Sequence, residues 1–179
     1  MKAVLISIQP KWCELIASRE KTIEVRKTRP KIETPFKCYI YMTATKERCR
    51  FWEYITAYQN SKGDILNGSQ KVIGEFVCDD IIVDERGENA DVFSKYAQLS
   101  LVEQKKYGAN KPLFGWHITD LKIYDKPKDL GEFRKEGFMT EEQWLYALYP
   151  NTHCHYAAWA KRFEIARPPQ SWCYVEELL

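Results

Sequence analysis

Lys21, Thr22, Glu24 and Arg26 crowd into one short segment, REKTIEVRK. A carboxylate flanked by two cations stays ionised and holds both in place. Such a group binds an anion, or positions a nucleophile if burial lowers the lysine pKa. On a strand Thr22, Glu24 and Arg26 share one face, with alternate residues about 7 Å apart. Strict parity points Lys21 the other way, but it lies at a turn, from which it can curl round to the same cleft. The competing reading is a solvated polar face carrying surface salt bridges. The candidate catalytic residues are Lys21, Glu24 and Arg26.

The surroundings favour phosphate and base contacts. Lys11, Lys27, Arg29 and Lys31 cluster about the motif with Trp12 nearby, and Gln9 precedes the same turn. Together they make a phosphate-contacting surface. Glu14, Glu20, Glu24 and Glu33 are interleaved, so the local net charge is small. That argues against a strong non-specific duplex binder and for a pocket taking one nucleotide or a short single strand. Trp12, Trp116 and Trp172 are candidate stacking platforms, each worth about 1–3 kcal/mol per base. Their alternative is a place in the core: Trp12 shares a helix face with Leu15 and Ile16, and Trp172 with Ser171 suits a packed C-terminal clasp equally well. The candidate ligand-binding set is Gln9, Lys11, Trp12, Thr22, Lys27, Arg29, Trp116, His117, Ser171 and Trp172.

His117 is a general base if it finds a polar partner such as Thr119, or a core histidine donating one hydrogen bond. His153, Cys154 and His155 are dense for metal ligands, but they need a third ligand such as Cys173, and the standard spacings are absent. No metal and no cofactor are expected. Glu75, between Ile73 and Val77, needs Lys21 or Arg26 as partner if it faces inward, and only solvent if it faces outward.

The elements that position these residues follow from patterning. Residues 3–9 read as a buried strand. Pro10 suits the first turn of a helix over 11–18, with Trp12, Leu15 and Ile16 on one face. Residues 22–28 alternate as a strand, and 36–43 form a third. The charged segment 45–50 precedes an aromatic stretch, 51–58, of helical character; 60–70 is a loop. Residues 71–83 read as one long strand, bent near Gly74, in the same curved sheet as the first two. Helical patterning covers 91–107, with Ser100 and Glu103 as a capping box. Residues 113–124 form a strand that Pro127 ends. A helix capped by Thr140 covers 140–149, the stretch 153–165 is ambiguous, and 167–177 is extended. Strands interrupted by short helices without a βαβ rhythm exclude a Rossmann arrangement. They predict an α+β chain: a partly open β-barrel decorated by short helices.

The 179 residues suggest one domain spanning 1–179, with a helical insertion or appendage around 130–165. Hydrophobic residues at 45% and charged residues at 29% exclude a disordered, collagen-like or coiled-coil chain. A net charge of +2 neither demands nor excludes nucleic acid. No apolar stretch approaches the roughly 20 residues of a membrane span, so no membrane partner is expected. The N-terminus does not read as a signal peptide. Six cysteines without a CxxC pair point to a reduced, cytoplasmic protein.

The string LISIQPKWCELIASREKTIEVRK resembles the N-terminal signature of ASCH domains, of the PUA-like superfamily. Their pattern is a strand, a short helix, then G-x-K-x-x-E-x-R. Lys21, Glu24 and Arg26 hold its last three fixed positions, and Arg19 stands where the family has glycine. VIGEFVCDDI is similar to the family's middle strand and LFGWHITDLKIYDKPKDL to a later one. The ending RPPQSWCYVEE is similar to that of a phage- and prophage-associated subgroup. Residues 45–70 and 135–165 lie outside the resemblance. It implies a pseudo-barrel with rim helices, and a cleft between the first helix and the barrel lined by the Lys, Glu and Arg. It also implies a role with RNA or nucleotides. Some ASCH-like proteins are ribonucleases, and short bacterial members deacylate an acetylated cytidine through a lysine, a threonine and a glutamate. Lys21 matches that lysine; Glu24 holds the threonine's position, with Thr22 displaced by two. The reading that results is an RNA- or nucleotide-binding module. The alternatives are a hydrolase of a modified nucleoside, a metal-assisted ribonuclease, or a protein-interaction module.

Overall fold

A computed structural model of the chain describes residues 1–44, 56–147 and 153–178, with the backbone alone for residues 147 and 153–155. Strand β1 (Lys2–Ile8) is apolar on both faces, as a strand covered on both sides must be. Pro10 opens α1 (Pro10–Ala17), and the helix buries Pro10, Cys13 and Ile16. The buried stripe is therefore turned from the expected Trp12–Leu15–Ile16 face, and Trp12 is only half-buried. β2 (Ile23–Arg26) carries the motif, and β3 (Phe36–Met42) follows.

Two long expected strands are each broken in two. Residues 71–83 form β6 (Val72–Cys78) and β7 (Ile81–Asp84), which lie in different sheets. The corner is Asp79–Asp80, where the Asp80 carboxylate accepts the Ile81 N–H at 2.8 Å. Residues 113–124 divide at Ile118 into β8 (Leu113–His117) and β9 (Thr119–Lys128). Pro127 sits inside β9 rather than ending it, because β9 is an edge strand with no neighbour needing that N–H. The expected loop at 60–70 contains half of a small hairpin, β4 (Ala57–Gln59) with β5 (Ile65–Asn67). Asn60 turns it by accepting the N–H groups of Lys62 and Asp64. The helix expected over 51–58 and the charged run 45–50 fall outside the described residues but for 56–58.

The sheets are β10 (Trp172–Glu176)-β1-β3-β6-β9 and β2-β8-β7, besides the hairpin. The motif strand and β6 thus lie in separate sheets, against expectation. β1 and β3 pair in parallel, the other pairs being antiparallel. The bend at Gly74 is present: the β6–β9 register shifts there, and a Cβ on Gly74 would stand 2.5 Å from the Lys122 carbonyl. Among the described residues the sheets do not close into a barrel.

Three apolar clusters hold the layers. Val4, Ile6, Ile8, Cys38, Ile40 and Trp116 fill the space where the large sheet, α1 and β8 meet. Leu5, Tyr39, Tyr41 and Val175 face the other side of the large sheet, where Phe133 and Ile165 cover them. The two ends of the segment 130–165 thereby cover that face; between them lie α4 (Glu141–Ala147) and α5 (His153–Ala160). Ile23, Val25 and Leu113 pack against Phe93 and Ala97 of the helical region formed by α2 (Ala90–Tyr96) and α3 (Leu101–Gly108). The Ser100–Glu103 capping box opens α3 as the sequence predicts.

Candidate functional site

β2 is buried at all four positions. Ile23 and Val25 face the helices, so Glu24 and Arg26 face the other way, across β8 from Trp116 and Phe114. The motif is therefore not a solvated face. Lys21, Glu24 and Arg26 are exposed by only 3%, 5% and 7%. Lys21 precedes the strand, so strand parity does not govern it. Its Nζ lies 3.4 Å from Glu24 Oε2 and donates to the Ala97 carbonyl at 2.7 Å. Arg26 Nη2 lies 2.9 Å from Glu24 Oε1 and donates to the Ser7 carbonyl at 2.6 Å. Each oxygen of Glu24 thus faces a different cation.

These groups form the floor of a cleft of about 630 Å³. Ser7, Ile8, Gln9, Pro10, Trp12, Val25, Thr43, Ala44, Leu99, Tyr107 and Gln170 line the rest of it. The Lys21 ammonium sits 5.0 Å from the centre of the Trp12 ring. Burial lowers the Lys21 pKa below the ordinary 10.5, Glu24 opposes that, and Arg26 adds to it. Burial likewise raises Tyr107, with Arg26 pulling the other way. Arg26 Nε is buried with no hydrogen-bond partner, a donor held beside the cleft.

The other candidate residues are dispersed. Lys11 is exposed, 4.3 Å above the Trp12 ring and 3.9 Å from Glu103. Lys27 is exposed and lies 4.8 Å over the Tyr107 ring, which places it at the rim. Arg29 is exposed. Thr22 is outside the cleft: its N–H donates to the Tyr96 carbonyl, and its own carbonyl accepts from Ile118. Trp116 is fully buried, edge-on to Phe36, and is a core residue rather than a stacking platform. Trp172 packs 6.0 Å from Trp116 and donates from Nε1 to Thr28 Oγ1, while the Ser171 carbonyl accepts from Ser7 N–H. Both belong to the C-terminal clasp. His117 turns away from the face shared by Glu24 and Trp116, and its Nδ1 meets Asp79 Oδ1 at 2.7 Å. Its partner is Asp79, not Thr119, which bonds the Val77 carbonyl. Glu75 takes neither Lys21 nor Arg26; it accepts from Tyr124 at 2.5 Å and lies 3.8 Å from Lys37.

Among the cleft residues that sequence reading missed are Leu99 and Tyr107. Their place depends on how the helical region docks on β2, which the Thr22–Tyr96 and Lys21–Ala97 contacts fix. No local pattern reports such a contact. Among the described residues no group of three or more His, Cys, Asp or Glu could hold a metal ion. The side chains of His153, Cys154 and His155 lie outside those residues. Cys13, Cys38, Cys78 and Cys173 are unpaired thiols. No helix among the described residues is long and apolar enough to cross a membrane.

Arg19, at the position where the ASCH pattern that the chain resembles has glycine, has φ of +65°. It adopts the left-handed conformation that glycine takes freely, at a cost of about 1–2 kcal/mol for an L-residue. Arg19→Gly should therefore raise stability by up to about 1 kcal/mol, after the greater entropy that glycine loses on folding. Denaturant unfolding checks this. A fall would mean that the bond from Arg19 Nη2 to the Leu121 carbonyl, 3.4 Å long, outweighs the strain.

No family model matches the chain, and no curated protein matches it in sequence. Solved structures do. The crystal structure of ASCH from Zymomonas mobilis superposes with a TM-score of 0.59 at 16% identity, over 98% of this chain and 88% of that one. Two single-residue variants of that protein, a tyrosine-to-phenylalanine and a serine-to-alanine, each give a TM-score of 0.55 at 16% identity. They cover 99% and 98% of this chain, and 92% and 89% of theirs. With the strand–helix–motif order of its N-terminal third, the chain has the α+β fold of ASCH proteins.

Proposed function

We propose that the chain is a single-domain RNA- or nucleotide-binding module whose ligand enters the Lys21–Glu24–Arg26 cleft. The observation that carries the reading is the buried trio at the foot of a cleft walled by two aromatic rings. Two cations against one carboxylate leave a positive balance where a phosphate or an electron-rich carbonyl would sit. Arg26 Nε supplies a donor with no partner of its own. Trp12 and Tyr107 line the cleft, and a base would stack on them by displacing the exposed Lys11 and Lys27 that now lie over the rings. The volume lies within the roughly 300–1,000 Å³ of small-ligand sites and suits one nucleotide. The unpaired thiols and the likeness of the C-terminal string to a phage-associated subgroup support a cytoplasmic, phage-related setting.

Titration with nucleoside monophosphates and oligouridylates tests the proposal. Trp12→Ala and Tyr107→Ala should each weaken binding roughly 5- to 150-fold, the equivalent of about 1–3 kcal/mol of stacking. Binding unchanged in both folded variants would remove the cleft from the account.

One observation favours a second reading, hydrolysis of an acylated nucleoside: burial moves Lys21 toward its neutral form. A neutral Nζ can take a proton from the attacking water. Glu24 favours the charged form, which sets catalysis behind binding. Turnover of acylated cytidines that Lys21→Ala abolishes in a folded protein would reverse that order.

A further inference from the structure

α3 separates the cleft from a second hollow of about 510 Å³. Tyr107 turns toward the cleft, while Leu101, Gln104, Lys105 and Gly108 line the hollow. Arg86 and Lys111 reach it from the flanking loops. Arg86, Lys105 and Lys111 are all exposed, and none has an ion pair among the described residues. Two carboxylates, Asp84 and Glu85, share the hollow. Asp84 is buried and its Oδ1 accepts the Gly87 N–H at 2.7 Å, which shapes the turn. The lining charges leave a positive surplus. Exposed cations left unpaired this way suit phosphates, which supply most of the salt-dependent affinity for nucleic acid.

We infer that the ligand is a single strand of RNA that straddles α3. One nucleotide occupies the Lys21–Arg26 cleft, and a phosphate of a neighbouring nucleotide rests among Arg86, Lys105 and Lys111. A helix with its side chains is about 10–12 Å across, a span that a few nucleotides bridge. Leu101, half exposed at the hollow's edge, gives the intervening sugar an apolar surface. This inference rests on the nucleotide reading of the cleft and adds the length of its ligand.

The test compares uridine monophosphate with a uridine hexanucleotide, on the full chain and on the triple variant Arg86→Glu, Lys105→Glu, Lys111→Glu. Among the described residues these side chains hold no ion pair, and a thermal melt confirms that the variant is folded. The hexanucleotide should bind at least about tenfold tighter than the monophosphate. The triple variant should cancel that gain and leave the monophosphate affinity unchanged. The slope of log affinity against log salt should shrink by about 0.7, the value for one lost phosphate contact on a single strand. A monophosphate that binds while the hexanucleotide gains nothing, or gains equally in the variant, overturns the inference and leaves the cleft reading standing. Equal losses for both ligands in the variant overturn it too, since they mark a long-range field rather than a second site. Failure of both ligands to bind the unaltered chain overturns the cleft reading and the inference with it.

Discussion

Glu24→Ala is expected to cost about 3–5 kcal/mol, because it leaves two buried cations without their shared carboxylate. For a chain of this length that lowers the melting temperature by about 6–20 °C. Lys21 and Arg26 keep their carbonyl partners at Ala97 and Ser7, but dipoles alone do not balance two charges in a closed space. Adding Lys21→Met to Glu24→Ala should recover part of the loss by removing one stranded charge. The contrast is the pair Lys62–Asp125, whose side chains are 67% and 52% exposed. Breaking that pair by Asp125→Ala should cost less than about 1 kcal/mol. Equal effects at the two sites, read by thermal and denaturant unfolding, would refute the buried arrangement.

Trp116→Ala should be comparably damaging, at about 3–5 kcal/mol. The indole is fully buried, lies 5.8 Å edge-on from Phe36 and 6.0 Å from Trp172, and ties β8 to the C-terminal strand β10. Trp116→Phe should cost much less, since the ring contact is partly kept and the Trp116 N–H has no partner to lose. Because Trp116 stands outside the cleft, Trp116→Phe should leave nucleotide affinity unchanged. A large loss of affinity in that folded variant would restore the indole to a stacking role.

Trp116 also shows how far sequence reading reaches. Its period-2 pattern marks a strand, but parity does not say which side of that strand is core. That is decided by β1 and α1, far away in the chain. The run 71–83 fails for a related reason. Its apolar residues serve two sheets, and only the Asp79–Asp80 corner divides them. Local signals did better. The Ser100–Glu103 box, the Pro10 helix start and the bend at Gly74 each depend on neighbouring residues alone, and each is present. The site follows the same division. Lys21, Glu24 and Arg26 lie close in sequence and meet in space. Tyr107 joins them only through the docking of α3, which no spacing announces. Gln9 and Trp12 line the cleft because α1 begins at its edge. His117, read from its place on a strand, and Ser171, read from its place beside Trp172, lie elsewhere.

A crystal structure of the chain with a bound nucleotide tests the central claim most directly. The account predicts the base against Trp12 or Tyr107, and a phosphate or carbonyl oxygen within hydrogen-bond reach of Lys21 Nζ or Arg26 Nε. A nucleotide bound elsewhere, with the cleft empty at saturating concentration, would contradict it.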